Sequence, residues 1–367
     1  MPRCRCHVEI CICAGPAPTQ SSHRFAIRSI RLESPTIRAQ QGRRSVYDPP
    51  RLLRNAHLQS ILASTGPRKL LVRRRARALL AASREEILDC QDGIRLHGEY
   101  SAHPEAARGL AILIHGWHGS SDSAYLLSAA SHLYRHGFSI HRLHLRDHGP
   151  SHHLNRELFN STRIAEVVDA VERIVRLHPH REVFLGGFSL GGNFALRVAL
   201  QAPARGIALA RVVAVCPVLD PAHTMRALDR SPIYHRYFSR KWRRALGEKL
   251  RHFPEHGYGE ELRELRTLQQ MNEFFVPRHT DFADTRSYLE AYAITGGRLA
   301  PLCIPCHILT SRDDPVIPAA DLAHLARPAA LSIELTEHGG HCGFIMDWRL
   351  HSWVDQRLEQ LFSSGDN

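Results

Sequence analysis

No apolar run in this 367-residue chain approaches the roughly 20 residues that a bilayer-crossing helix needs, so integral insertion is not expected. The first residues lack a clean apolar segment followed by a small-residue cleavage site, and secretion is not expected either. Acid is scarce at one end. Residues 1–84 hold three Asp and Glu against 17 Lys and Arg, whereas the other 283 residues hold 31 basic and 33 acidic groups. The net charge of +12 therefore belongs to an N-terminal extension, and a nucleic-acid-binding core is not expected. No internal repeat is visible, and neither H-E-x-x-H nor a histidine–carboxylate helix spacing occurs. On those grounds no resident metal or cofactor is expected, although histidine is abundant at 26 residues and clusters at His141, His144, His148, His152 and His153.

The nine cysteines are an odd number. Cys4, Cys6, Cys11 and Cys13 form two C-x-C pairs without zinc-finger spacing, and the reading preferred for residues 1–45 is an unstructured leader or a start placed too far upstream. Cys90, Cys216, Cys303, Cys306 and Cys342 sit in or beside expected strands and read as structural thiols of a cytoplasmic protein. With 43% hydrophobic and 23% charged residues, the body has the balance of a globular protein.

Order is expected from about residue 46. Arg73, Arg74, Arg75 and Arg77 alternate with apolar residues; this reads as a solvated connecting helix, with a membrane-surface helix as the alternative. Two alternating runs, 85–91 and 94–100, are joined by Asp92-Gly93, a strong hairpin signal. Buried strands follow at 110–114, 138–145, 183–185, 212–216, 306–310 and 331–335. Helices are expected at 124–135, 164–177, 193–202, 319–325 and 351–362. Alternation of this kind predicts a mostly parallel sheet with helices on both faces. Between 221 and 299 the strands stop and the chain is aromatic, basic and helical, which predicts a cap inserted over the active edge. Its run from Tyr234 to Arg244 reads as a lid helix, with anionic-lipid or nucleic-acid binding as the alternatives.

The chemistry centres on Val183–Asn193, where a short apolar strand meets Gly187-Phe-Ser189-Leu-Gly191 and a helix follows. Strand, G-x-S-x-G and helix make a nucleophile elbow, which exposes a serine on a strained turn beside a helix N-terminus. A serine hydroxyl needs a base, and the base an orienting acid, in the chain order serine, acid, histidine. Asp314 and His341 lie in the loops after the last two strands and are the preferred partners; Asp313, Asp220 and His338 are rivals. The backbone N–H groups of Trp117, in His115-Gly-Trp, and Leu190 are the expected oxyanion donors.

Four segments together, Tyr47-Asp-Pro-Pro with Asn55-Ala-His-Leu-Gln-Ser60, His115-Gly-Trp-His-Gly-Ser120, Gly187–Asn193 and Thr336-Glu-His-Gly-Gly-His-Cys-Gly-Phe344, resemble the YheT-like branch of the α/β hydrolases. That branch includes the abhydrolase-domain proteins one to three. The resemblance runs from about Tyr47 to the C-terminus. It implies an α/β-hydrolase fold at 46–367, a triad of Ser189, Asp314 and His341, and hydrolysis of carboxylic esters with short- to medium-chain or lipid-like acyl groups. Acyl transfer, thioester hydrolysis, or a pocket that binds without turnover at a membrane surface are the alternatives. Two departures stand out: many eukaryotic relatives have an N-terminal membrane anchor not seen here, and the loop Arg146–Asn155 differs from the glycine-rich version of several relatives.

Overall fold

A computed structural model describes residues 47–105 and 107–364; the expected leader and its four cysteines lie outside the described residues. The described chain opens with α1 (Ala56–Ser64), whose first turn is capped by Asn55 Oδ1 accepting from the Leu58 amide at 2.9 Å. Next come α2 (Pro67–Arg75) and α3 (Arg77–Ala81). One helix was expected here; the chain instead kinks at Ala76, which leaves helical geometry at φ −85°, ψ 9°. The hairpin forms as β1 (Ser83–Asp89) and β2 (Arg95–Ser101), and its turn carries Asp92 at φ 56° and Gly93 at φ 70°. Successive left-handed residues are what a tight right-twisted hairpin requires.

Then follow β3 (Gly109–Ile114), α4 (Ala124–Arg135), β4 (Phe138–Leu143), α5 (Ile164–Leu177), β5 (Val183–Phe188), α6 (Leu190–Gln201) and β6 (Arg211–Val215). Five helices intervene: α7 (Pro221–Arg230), α8 (Pro232–His252), α9 (Gly259–Glu264), α10 (Leu268–His279) and α11 (Thr285–Ala291). The chain closes with β7 (Cys306–Ser311), β8 (Leu331–Thr336) and α12 (Trp353–Ser363). The eight strands lie in the order β1-β2-β4-β3-β5-β6-β7-β8. The β1–β2 and β2–β4 pairs are antiparallel, and every other pair is parallel.

Strand alternation splits the core into two layers. Leu110, Ile112 and Ile114 of β3 join the cluster that contains α5 and α6, while Ala111 and Leu113 join the one that contains α4 and α12. A strand covered on both faces has no polar side to show, hence the continuous apolar runs. The helices between β6 and β7 have a small core of their own, in which Leu246, Tyr258, Met271 and Phe275 pack on Leu158.

Three expected helices change. Residues 319–324 form only a short 3₁₀ segment, and α12 starts at Trp353 because Ile345 and Ser352 first pair as a β-bridge. The elbow helix begins at Leu190, three residues before the expected start, so it abuts Ser189 directly. Among the five cysteines in this region, Cys216, Cys306 and Cys342 are buried and Cys90 is half-buried, but Cys303 is exposed. Burial pushes the Cys306 thiol up to about 12.

Candidate active site

Ser189 sits between β5 and α6 at φ 54°, ψ −118°, a strained conformation for a residue with a side chain. The elbow is held shut by its own backbone: the Ser189 amide donates to the Val215 carbonyl at 2.8 Å. A Cβ on Gly187 would overlap the Gly191 backbone, and one on Gly191 would overlap the carbonyls of Ile114 and His115. Both flanking glycines are thus demanded by close backbone approach.

The loops after β7 and β8 converge on that serine. His341 Nε2 lies 2.9 Å from Ser189 Oγ, and His341 Nδ1 lies 2.8 Å from Asp314 Oδ2. The other Asp314 oxygen accepts from the backbone amides of Val316 and Ile317 at 2.8 and 2.9 Å, so the carboxylate is anchored on one side and presented to the imidazole on the other. Burial works against charge on His341, but the adjacent Asp314 outweighs it and pushes the imidazole up to about 10. An arrangement that favours imidazolium favours the form reached when a base takes the serine proton.

The rival residues are placed elsewhere. Asp313 accepts the Gly340 amide at 2.9 Å and faces His338 at 3.5 Å, so both buttress the loop rather than meet the serine. Asp220 caps α7 by accepting the His223 amide at 3.0 Å.

The loop after β3 lies against the elbow: a Cβ on Gly116 would come 3.1 Å from Ser189 Cβ. It is closed by the Gly119 amide donating to the Gly116 carbonyl at 2.9 Å and tied to α4 by the Gly116 amide donating to Tyr125 Oη at 2.9 Å. Leu190, as the first residue of α6, carries one of the amides that a helix start leaves unpaired. Trp117 and Leu190 together border a small cavity of about 70 Å³, whose apolar walls include Phe159, Met225, Trp242 and Tyr288. A larger cavity of about 280 Å³ contains Ser189 and His341 and runs out between α1 and the cap, past Tyr237, Phe238 and Lys241. Leu190, next to the serine, thus borders a small greasy chamber, and the serine itself borders the wider one.

Sequence reasoning missed how the site is supported. Gln59 is fully buried; its amide nitrogen donates to the carbonyls of Leu53 and Ile345, and its oxygen accepts the Ile345 amide at 2.7 Å. The neighbouring Ser60 Oγ accepts the His341 amide at 2.8 Å, and His57 Nδ1 meets Tyr234 Oη of the cap at 2.9 Å. The Asn-Ala-His-Leu-Gln-Ser segment is therefore a clamp on the histidine loop, with Ser60 and His341 281 residues apart in sequence. Its unusual specificity as a motif was the available signal. A second support is Lys249 of α8, only 1% exposed, whose Nζ binds Asp147 Oδ1 at 2.7 Å and the carbonyls of His152 and Asn155.

The histidine-rich stretch does not gather into a ligand set among the described residues. His144 Nδ1 meets His97 Nδ1 at 2.8 Å, His148 Nδ1 donates to the Arg146 carbonyl, and His141 faces Glu86 at 3.3 Å. Burial pushes His141, His144, His148 and His152 down, so these rings are neutral packing groups. Three-residue sets close enough to share an ion occur instead at Cys216, His341 and Cys342, and at His132, His136 and Glu359.

A serine on a strand-to-helix elbow, with acid and histidine on the loops after the last two parallel strands, defines a class. The chain belongs to the α/β hydrolase fold family, whose model matches residues 111–347. Within it, the chain is 24% identical over 328 residues to "Putative esterase YheT" of Escherichia coli (strain K12), covering 85% of this chain and 91% of that protein. Among solved structures, 2,6-dihydroxy-pseudo-oxynicotine hydrolase superposes with a TM-score of 0.53 at 16% identity, over 80% of this chain and 71% of that one. The Pyrococcus furiosus esterase Pf2001 gives 0.48 at 13% identity, over 85% and 94%. No helix among the described residues is long and apolar enough to cross a membrane.

Proposed function

We propose that this protein is a serine hydrolase of carboxylic esters that works through an acyl-enzyme. The observation that carries the reading is the linked geometry of Ser189, His341 and Asp314, with contacts of 2.9 and 2.8 Å centred on a strained serine. Ser189 Oγ attacks the ester carbonyl while His341 Nε2 takes its proton, and Asp314 holds the imidazole and stabilises its cation. The amides of Trp117 and Leu190 receive the developing oxyanion. His341 then returns the proton to the leaving alcohol, and water repeats the sequence to release the acid. The YheT relative carries the name of an esterase, which supports the same reading.

The two chambers suggest a division of labour. The apolar chamber beside Leu190 takes a short acyl group, and the wider one beside His341 takes the leaving alcohol. The test is a rate profile over p-nitrophenyl esters of increasing acyl length, with Ser189→Ala alongside. Turnover is expected to peak at a short chain and to fall by about 10⁴- to 10⁶-fold in Ser189→Ala, with melting temperature retained. Undiminished turnover in that variant would remove Ser189 from the mechanism.

A further inference from the structure

Large apolar side chains left exposed are unevenly distributed on this protein. Nine are exposed among the described residues, and six of them, Leu52, Leu58, Ile61, Leu70, Leu71 and Ile233, belong to the two segments that form the lips of the large cavity, Ile61 and Ile233 bordering it directly. Leu70 is 75% exposed, Leu52 73% and Ile233 60%, values that no packing role explains. The first lip is the segment 49–84, which contains α1 and α2; the second is the start of α8. They are joined by the His57–Tyr234 contact at 2.9 Å, and the cavity opens between them, bordered by Ile61 and Lys69 on one side and Ile233 and Lys241 on the other.

The charge on both lips has one sign. Residues 49–84 hold nine Lys and Arg and no Asp or Glu, and residues 231–247 hold five and none. The few acids that reach these lips are paired, Asp48 with Arg54 at 2.8 Å and Asp122 with Arg73 at 3.3 Å. Part of the basic run turns inward: Arg68 is fully buried and donates to the Ala63 and Leu350 carbonyls, and Arg75 donates to that of Arg349. Those arginines are structural, as expected of a connecting helix. Lys69, Leu70, Leu71, Arg73 and Arg74 remain, with Pro67, on the outside of α2.

We propose that these lips are a docking face for an anionic lipid surface, which brings the mouth of the candidate active site onto the lipid. Exposed leucine and isoleucine supply shallow apolar insertion, and the surrounding Lys and Arg supply attraction to anionic headgroups. Nucleic acid would satisfy the charge but would leave the exposed leucines facing water, so the apolar component favours lipid. The inference concerns binding and stands independently of whether Ser189 turns over an ester.

The test is co-sedimentation of the full chain with vesicles of phosphatidylcholine alone and of phosphatidylcholine with phosphatidylglycerol. Binding is expected only to the anionic vesicles and is expected to weaken at high salt. The double variant Leu52→Asp/Leu70→Asp and the single variant Arg74→Glu are each expected to lose about tenfold or more in vesicle affinity. Neither changes a residue of the site, so melting temperature and turnover of a soluble short-chain ester should match the parent. Failure of the parent chain to sediment with anionic vesicles would overturn the proposal, as would equal binding by parent and variants. Tight binding of single-stranded RNA, with no vesicle binding, would replace the lipid by a nucleic acid.

Discussion

The sheet edge and the cap are secured in different ways. At the edge, each candidate group is held by at least one backbone group: two amides bind the Asp314 carboxylate, the Val215 carbonyl accepts the Ser189 amide, and the His341 amide donates to the Ser60 hydroxyl. The cap packs into the main core through Leu228, Tyr234, Leu268, Val276 and Tyr288, has a small second core of its own, and adds side-chain ties from Lys249 to Asp147, Tyr234 to His57 and Lys241 to the His118 carbonyl. A bond between two backbone groups survives most substitutions, whereas a tie made by a side chain is lost when that residue changes.

Three substitutions test this contrast. The largest effect is expected from Asp314→Asn, which leaves the fold but removes the charge that orients and stabilises the imidazolium; kcat is expected to fall by about 10⁴-fold. The pH dependence gives the sign. With Asp314 present, His341 is raised to about 10, and turnover, which needs the neutral base, should climb as pH rises toward that value. Without the carboxylate only burial acts on the ring, so the residual pH–rate profile should move to lower pH. Stability follows the same linkage. The raised His341 contributes stability that is fully present below about 6.5 and is lost as pH rises through about 10, so the parent should lose melting temperature over that interval more steeply than Asp314→Asn. A profile unmoved by the substitution would break the assignment of Asp314.

The next effect belongs to the cap. Lys249→Met leaves the buried Asp147 carboxylate without its cation, and a loss of about 3–5 kcal/mol is expected in denaturant unfolding. If the cap governs access alone, KM should rise more than kcat falls. A proportionate loss in kcat would mean that the cap also positions the chemistry. The smallest effect is expected from Ser60→Ala, which deprives the His341 amide of its acceptor. About 1–3 kcal/mol of stability and a several-fold fall in kcat are expected, read from melts and from turnover of a soluble ester.

Much of this was legible along the chain because it rests on local rules. Periodicity located the long helices α4 and α5 and most strands within a residue or two, the elbow strand running three residues further than expected, since a doubly covered strand is largely apolar. Asp92-Gly93 announced its hairpin through the conformation that only such residues adopt readily. The helices at Leu190 and His351 were displaced at their starts, where local propensity yields to neighbouring contacts, while the one through Ala76 is kinked and that at Ala319 tightens to 3₁₀.

Sequence alone determined the elbow, its two glycines, the parallel sheet with an inserted helical cap, and the choice of Ser189, Asp314 and His341 as residues to look for. Those features follow from backbone sterics, burial and chain order, which are written in consecutive residues. Only the tertiary structure brought Gln59 and Ser60 to the histidine loop, set Lys249 against Asp147, turned Arg68 inward, and left Leu52, Leu70 and Ile233 exposed. Such juxtapositions join segments up to 286 residues apart. No local pattern encodes which buried polar group will find which partner, because that depends on how the packed layers align.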